Sequence, residues 1–136
     1  MQKATNTVVE LHPKEQREPW EIEWERCKPW LEKAMKYQDT YTIDDIEDKI
    51  REGIFLLWAS NNAAFVTEFV VFPQHTAMNL LFCGGDYKEL EAMLPHIEEY
   101  AKKCGVKRLY GGGRKGWTRK LKHLGFVTEH LIRKDL

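Results

Sequence analysis

The hydrophobic and polar positions of the chain follow two periods, one typical of helices and one typical of strands. The first stripe comprises Trp20, Trp24, Cys27 and Leu31, which recur every three or four residues as on one face of an amphipathic helix. Pro29 interrupts this stripe, because proline lacks a backbone donor and clashes with the preceding turn. We therefore expect either a kink or a new helix beginning near that residue.

A second helix and three strands are predicted in the middle of the chain. Thr42 is a residue type that caps helix N-termini, and Gly53 is typical of a helix end. The apolar segments 54–59, 63–72 and 76–83 follow, separated by turn residues. The simplest arrangement of three such segments is an antiparallel meander.

A long helix and a fourth strand are predicted next. Gly84 and Gly85 end the third strand, and Asp86 with Glu89 has the spacing of a capping box. Segment 106–110 reads as a strand that follows the helix. Since a helix connects it to the third strand, we expect the two strands to be parallel neighbours.

The two ends of the chain complete the predicted order. A short strand is predicted at 7–11, ahead of the first helix. After the fourth strand come a glycine-rich turn at 111–113, a short basic helix stopped by Gly125, and a last strand at 126–132. The pattern therefore predicts an α/β (α+β) domain with a central, mixed and mostly antiparallel sheet and helices on both faces.

Composition restricts the class of protein. A chain of 136 residues with 43% hydrophobic residues is expected to form a single domain over 1–136, preceded by a loosely defined arm over 1–19. Its 21 basic and 21 acidic residues cancel, which argues against a general attraction to nucleic acid. No apolar run approaches the roughly 20 residues of a membrane span, and the N-terminus lacks a signal peptide, so we expect a cytoplasmic protein.

Cysteine and histidine spacing predicts neither a disulfide framework nor a metal site. The three cysteines are odd in number and form no C-x-x-C pair. The five histidines show no H-x-x-x-H or H-E-x-x-H spacing. A reducing compartment fits this usage best.

Charge is uneven along the chain although it is balanced overall. Residues 107–136 carry nine basic and two acidic residues, whereas residues 39–52 carry six acidic and two basic residues. Opposed patches of this kind suit head-to-tail contacts between subunits or docking on another protein. Two solvated helix faces would produce the same pattern, so this alternative stays open.

The order of elements, with several short motifs inside it, resembles the GNAT acetyltransferase fold, and in particular small phage-encoded GNAT-like proteins. The resemblance covers roughly residues 20–136. The matching residues are Ala34-Met35, Thr42 with Asp45-Ile46, Gly53 with Leu57-Trp58, Gly84-Gly85, Gly113-Arg114, Gly116-Trp117, Arg119, Leu121 and Gly125-Phe126.

The resemblance implies a coenzyme site between the third and fourth strands. In acetyltransferases of this fold, acetyl-CoA lies there and its diphosphate meets a glycine-rich turn at the start of the central helix. The residues that the resemblance assigns to cofactor binding are Leu81, Cys83, Gly84, Gly85, Arg114 and Trp117. The turn departs from the family pattern, because Asp86 and Glu89 bring carboxylates to the place of the phosphates.

The catalytic residues that the resemblance implies are changed as well. The tyrosine that protonates the leaving thiolate in many relatives corresponds to Leu121, which has no proton to give. Tyr110 and Tyr87 are candidate substitutes. Glu68, the acid of the second strand, is a candidate general base, and His75 in the next loop is a second one.

Two functional hypotheses follow from these changes. In the first, the chain is a phage-type GNAT-fold protein with degenerate or no catalysis, requires no cofactor, and acts in the host cytoplasm or the virion through other phage proteins or through its own copies. In the second, it is an acetyl-CoA-dependent N-acetyltransferase of unknown acceptor. The altered turn and Leu121 favour the first hypothesis.

Overall fold

The computed structural model describes residues 18–112 and 115–136, with the side chain of residue 115 excepted. The predicted strand 7–11 and Arg114 lie outside the described residues. The elements are α1 (Pro19–Ala34), a 3₁₀ turn (Met35–Tyr37), α2 (Ile43–Arg51), β1 (Phe55–Ala59), β2 (Ala63–Val71), β3 (Thr76–Gly85), α3 (Tyr87–Lys103), β4 (Arg108–Gly111), α4 (Lys115–Leu121) and a second 3₁₀ turn (Lys122–Leu124).

The four described strands form one sheet in the order β1-β2-β3-β4. β1, β2 and β3 are antiparallel neighbours joined by short turns. β4 pairs in parallel with β3, because α3 carries the chain back to the same end of the sheet before β4 begins. The predicted mixed, mostly antiparallel sheet is confirmed.

Each face of the sheet is covered by helices and has its own hydrophobic core. On one face α1 and α2 pack through Trp24, Leu31 and Ile46. On the other face α3 packs through residues such as Leu90 and Ile97. The alternation of side chains along the strands divides the apolar residues between these two cores, so the predicted placement of helices on both faces is confirmed.

The helix boundaries follow their capping residues. Thr42 caps α2 as predicted: its hydroxyl accepts from the Asp45 amide at 3.2 Å, and its own amide donates to the Asp45 carboxylate at 2.8 Å. α1 runs through Pro29 as a single helix, so the alternative of a new helix there is wrong. Buried Trp24 and Leu31 lie on either side of the proline and hold both halves against the same face of the sheet.

Two predicted boundaries of the sheet are wrong. Gly84 and Gly85 do not end the third strand, because both residues continue the pairing with β2, opposite Ala64 and Ala63. Residues 126–136 contain no strand, although 126–132 was predicted to be one. Gly125, in the left-handed region at φ 93°, follows the second 3₁₀ turn, and none of the described strands pairs with the residues after it.

Candidate functional site

The candidate site begins where β3 outlasts its parallel neighbour. β4 pairs with β3 only over Ala77–Leu80, whereas β3 continues to Gly85. The register with β2 changes at this point: Thr67 lies opposite Leu80 and Val66 lies opposite Phe82, which leaves the intervening Leu81 as a bulge. Beyond the bulge, alternate backbone amides of β3 face an open side of the sheet.

A groove of about 960 Å³ lies beside this end of β3. Its walls are α1 with the turn after it, the last residues of β3, the start of α3, and α4. Four of the predicted cofactor residues line it, namely Cys83, Gly84, Gly85 and Trp117. Leu81 lies on the same strand but does not line the groove. Burial raises the pKa of Cys83 to about 12, so its thiol stays protonated and is a poor nucleophile.

The two glycines are explained by the packing around them. A Cβ at Gly84 would overlap the backbone carbonyl of Trp30 in α1. Gly85 has φ +106°, and a Cβ there would overlap the carbonyl oxygen of Asn62 in the β1–β2 turn. That same carbonyl accepts a hydrogen bond from the Asp86 amide at 2.9 Å. The Gly-Gly pair is thus required for close backbone approach whether or not a ligand binds.

The start of α3 is occupied by the protein's own carboxylates. Asp86 caps the helix, since its side chain accepts from the Glu89 amide at 3.0 Å. The predicted capping box is only half formed, because the Glu89 side chain turns away to the β1–β2 turn. There it accepts from the Ser60 hydroxyl at 2.6 Å, from the Asn62 amide at 2.7 Å and from the Asn62 side chain at 2.8 Å.

These bonds keep Glu89 ionised. The hydrogen bonds from Ser60 and Asn62 lower the pKa of Glu89, because they stabilise the carboxylate. Two negative side chains therefore lie at the helix end where backbone amides would otherwise attract an anion.

α4 packs against the first turn of α3 through aromatic and cationic contacts. The Trp117 and Tyr87 rings lie 5.4 Å apart, and the Lys120 ammonium lies 4.4 Å from the centre of the Tyr87 ring. The Tyr87 hydroxyl donates to Glu91 at 3.3 Å, and His123 lies 3.0 Å from the same carboxylate. Burial, the Glu91 charge and the hydrogen bond from the Tyr87 hydroxyl to Glu91 raise the pKa of Tyr87.

The two predicted catalytic residues lie in one row across the sheet. Glu68 of β2 is opposite Asn79 of β3, and Asn79 is opposite Tyr110 of β4. The Asn79 amide donates to the Glu68 carboxylate at 3.2 Å, and the Tyr110 hydroxyl accepts from Arg108 at 3.2 Å. The row is five residues of β3 away from Gly84, or about 17 Å along an extended strand.

Other residues named from the sequence have structural surroundings. Leu121, in the place of the family tyrosine, packs against the core beneath α3. His75 packs on Phe72 with ring centres 5.5 Å apart, and its buried Nε2 has no hydrogen-bond partner among the described residues.

Sequence reasoning missed the two asparagines that organise these sites. Asn79 is the one amide in the otherwise apolar core of its strand, a signal of a polar contact across the sheet. Asn62 lies in a Ser-Asn-Asn turn whose sequence indicates a hairpin and nothing more. Its contacts with Gly85, Asp86 and Glu89 bring together segments far apart in the sequence, so no local pattern could reveal them.

The acidic residues of segment 39–52 are less available for contacts with a partner than their number suggests. Glu47 accepts from the Trp24 indole at 2.9 Å and from Arg51 at 3.0 Å, and Arg51 also pairs with Asp48. Asp45 takes part in the cap of α2. Its backbone and side-chain hydrogen bonds with Thr42 lower the pKa of Asp45. Much of the negative charge is therefore paired within its own helix.

Comparison with known proteins identifies the architecture. No family model and no curated protein sequence matches the chain significantly. A mutant of the protein TTHA1254 from Thermus thermophilus superposes with a TM-score of 0.61 at 18% identity, over 85% of this chain and 91% of that one. An aminoglycoside acetyltransferase from an uncultured soil metagenomic sample, in complex with sisomicin, superposes with a TM-score of 0.58 at 8% identity, over 85% and 87%.

An acetyltransferase from Trypanosoma brucei also matches, with a TM-score of 0.56 at 12% identity over 78% of this chain and 88% of that one. The chain has a GNAT-like fold. Identities this low carry the fold of GNAT proteins to the chain and leave its activity open, so chemistry must be argued from the residues.

The described residues show neither a membrane-spanning helix nor a metal cluster. Over residues 18–112 and 115–136, no helix combines the length and apolar character needed to cross a membrane. The same residues contain no group of three or more histidine, cysteine, aspartate or glutamate side chains placed to hold a metal ion.

Proposed function

We propose that this GNAT-fold chain does not transfer acetyl groups and works instead by binding other proteins. Its sequence resembles phage-encoded GNAT-like proteins, so we infer that its partners are phage proteins, in the host cytoplasm or in the virion. The proposal depends chiefly on one observation, the internally satisfied start of α3.

At that start the protein's own groups compete with a coenzyme diphosphate. The Asp86 amide donates to Asn62, and the Glu89 amide donates to the Asp86 carboxylate. A diphosphate would have to displace these bonds and approach two carboxylates. Repulsion between these carboxylates and the diphosphate opposes binding.

The proton donor expected of an acetyltransferase is also absent from its usual place. Leu121 packs against the core and cannot protonate a thiolate. The Tyr87 hydroxyl is engaged with Glu91, and Tyr110 lies in the row with Asn79, beyond the bulge. A transition state needs its acid within hydrogen-bond reach, so the described tyrosines are poorly suited to the role.

A thiol-release assay with acetyl-CoA tests the absence of transfer. Polyamines, an aminoglycoside and a lysine-containing peptide serve as acceptors, and an active GNAT enzyme serves as the control. We expect release at the rate of the uncatalysed reaction. Turnover above about 0.1 s⁻¹, well below the typical enzyme range, would contradict the proposal.

Size-exclusion chromatography tests the binding role. The purified chain is mixed with candidate virion proteins, and we expect co-elution with at least one of them. Indifference to all of them, from a chain that is also catalytically silent, would leave the binding half of the proposal without support.

A second function is favoured by the divergence of β3 from β4. The bulge at Leu81 and the open side of β3 up to Gly85 provide backbone amides at which a thioester carbonyl could be polarised. On this alternative the chain is an acetyl-CoA-dependent N-acetyltransferase, with Glu68 as base. Loss of measurable transfer in Glu68→Gln, without loss of coenzyme binding, would be its signature.

A further inference from the structure

The last eleven residues, 126–136, form an exposed segment that we call the C-terminal tail. After Phe126, which still packs on the core beneath α3, the tail turns its apolar side chains to solvent. Val127, Leu131, Ile132 and Leu136 are 84%, 96%, 93% and 114% exposed. Most other large apolar side chains of the described residues are far less exposed, so the tail is a distinct apolar surface.

The tail has strand character without a strand partner. It contains β-branched residues at Val127, Thr128 and Ile132, which favour extended backbone. No described residue pairs with it in the sheet, including those of the edge strand β4. An apolar segment that lies outside the sheet and favours extended backbone is able to pair with another strand.

We propose that the tails of two copies of this chain pair as antiparallel strands across a two-fold axis at Leu131. In that register Leu131 faces Leu131, and Glu129 of each copy lies opposite Arg133 of the other. Two opposite-charge pairs therefore flank a central apolar contact, which is the pattern that stabilises cross-strand pairs. The pairing does not depend on the function proposed above.

The neighbouring symmetric registers are worse matched. Moving the axis to Ile132 places Glu129 opposite Asp135, a repulsive pair. Moving it to His130 places Glu129 opposite Leu131 and leaves the charges unpaired. A two-fold axis perpendicular to the sheet requires a residue to face itself, so these are the immediate alternatives, and the sequence favours Leu131.

The exchange disturbs only exposed charge contacts of the monomer. The pKa of Arg108 in β4 is raised by its hydrogen bond with Tyr110 and, in smaller part, by the charge of Glu129, and both Arg108 and Glu129 are exposed. Within the tail Arg133 pairs with Asp135 at 3.0 Å, and the two side chains are 76% and 79% exposed. So exposed a pair contributes little stability, and Arg133 is free to exchange it for Glu129 of a second copy. Two eleven-residue strands form a contact smaller than a standard interface of about 1,600 Å², so we expect a dimer that depends on concentration.

Sedimentation velocity on the full chain tests the pairing. Wild-type protein is expected to pass from monomer to dimer between about 5 and 500 µM, in line with micromolar to sub-millimolar affinity. Leu131→Asp should abolish dimers over this range. The tail is exposed, so the variant should keep the unfolding temperature of the monomer, which calorimetry verifies.

A charge exchange then tests the register. Glu129→Arg and Arg133→Glu alone should each weaken the dimer at least tenfold, because each places like charges opposite one another. The double variant E129R/R133E should recover wild-type affinity to within about threefold. A strictly monomeric wild type, a dimer that survives Leu131→Asp, or a double variant weaker than both single variants would overturn the proposal.

Discussion

The two ends of β3 differ in how completely their polar groups are satisfied. At the Gly84–Gly85 end, Glu89 accepts three hydrogen bonds and Asp86 caps α3. At the other end, the side chain of Asn79 donates a single bond to Glu68, at 3.2 Å. The Gly84–Gly85 end resembles a coenzyme site, yet its polar groups are the more fully satisfied by the protein itself.

This difference shows how a ligand-binding signature can arise from packing alone. Glycines before a helix favour phosphate binding because they let backbone amides approach a ligand. Here the same absence of side chains lets Trp30 and Asn62 approach the strand. Ligand binding and internal packing both require glycine at these positions. A substitution distinguishes the two causes, because it disturbs either the ligand or the packing.

The largest effect is expected at Gly84. In Gly84→Ala the new methyl group would overlap the Trp30 carbonyl, so β3 and α1 must separate and the free energy of unfolding should fall by about 3 kcal/mol. Urea unfolding, with and without acetyl-CoA, measures this fall in the free energy of unfolding. Gly112→Ala is the matched control, because a Cβ there meets nothing within 4 Å. Equal stability of the two variants would refute the packing explanation.

A smaller, pH-dependent effect is expected at Glu89. Its pKa is lowered on folding, so it stabilises the fold above 4.5, the value of a free side chain, and this contribution is lost as pH falls through the folded value. Glu89→Gln removes that titration. The stability gap to wild type should be widest near neutral pH and close on acidification, as followed by urea unfolding.

Asp45→Asn provides the comparison for this titration, since the lowered pKa of Asp45 arises at the start of α2. Asp45→Asn should also reduce the loss of folding stability on acidification. It should leave the contact between Asn62 and α3 unaltered. If Glu89→Gln left the pH profile unchanged, the bonds from Ser60 and Asn62 would not hold the carboxylate as described.

The smallest effect is expected in the polar row. Asn79→Ala removes the bond to Glu68 and should lower the free energy of unfolding by about 1 kcal/mol. Glu68→Gln should cost less, because its side-chain oxygen still accepts from Asn79. A loss above about 3 kcal/mol for Asn79→Ala, seen by thermal unfolding, would mean that this end is as tightly organised as the other.

Local patterns predicted most of the fold. The helical stripe through Trp24 and Leu31, the cap at Thr42 and the stop at Gly53 are properties of neighbouring residues, and the structure confirms them. The parallel pairing of β4 followed from the connecting helix. Gly84 and Gly85 were misread as a strand end because glycine weakens strand propensity in isolation, whereas pairing with β2 overrides it here.

The site was predictable only in part, because its decisive contacts are long-range. Cys83, Gly84, Gly85 and Trp117 line one groove, and Glu68 and Tyr110 lie in one row; their assignment to cofactor binding and catalysis stays a prediction. The turn of Glu89 toward Ser60 and Asn62 depends on tertiary geometry. The predicted strand at 126–132 does not form, because a strand needs a pairing partner and the local sequence does not show whether one is present.

The central claim is that the start of α3 leaves no place for a coenzyme diphosphate. Isothermal titration of the purified chain with acetyl-CoA tests this directly, with Asp86→Ser as a companion variant that keeps a capping side chain and removes one charge. We expect no saturable heat from wild type up to about 1 mM acetyl-CoA, and weak binding at most from the variant. Micromolar binding by wild type, competed by coenzyme A, would contradict it.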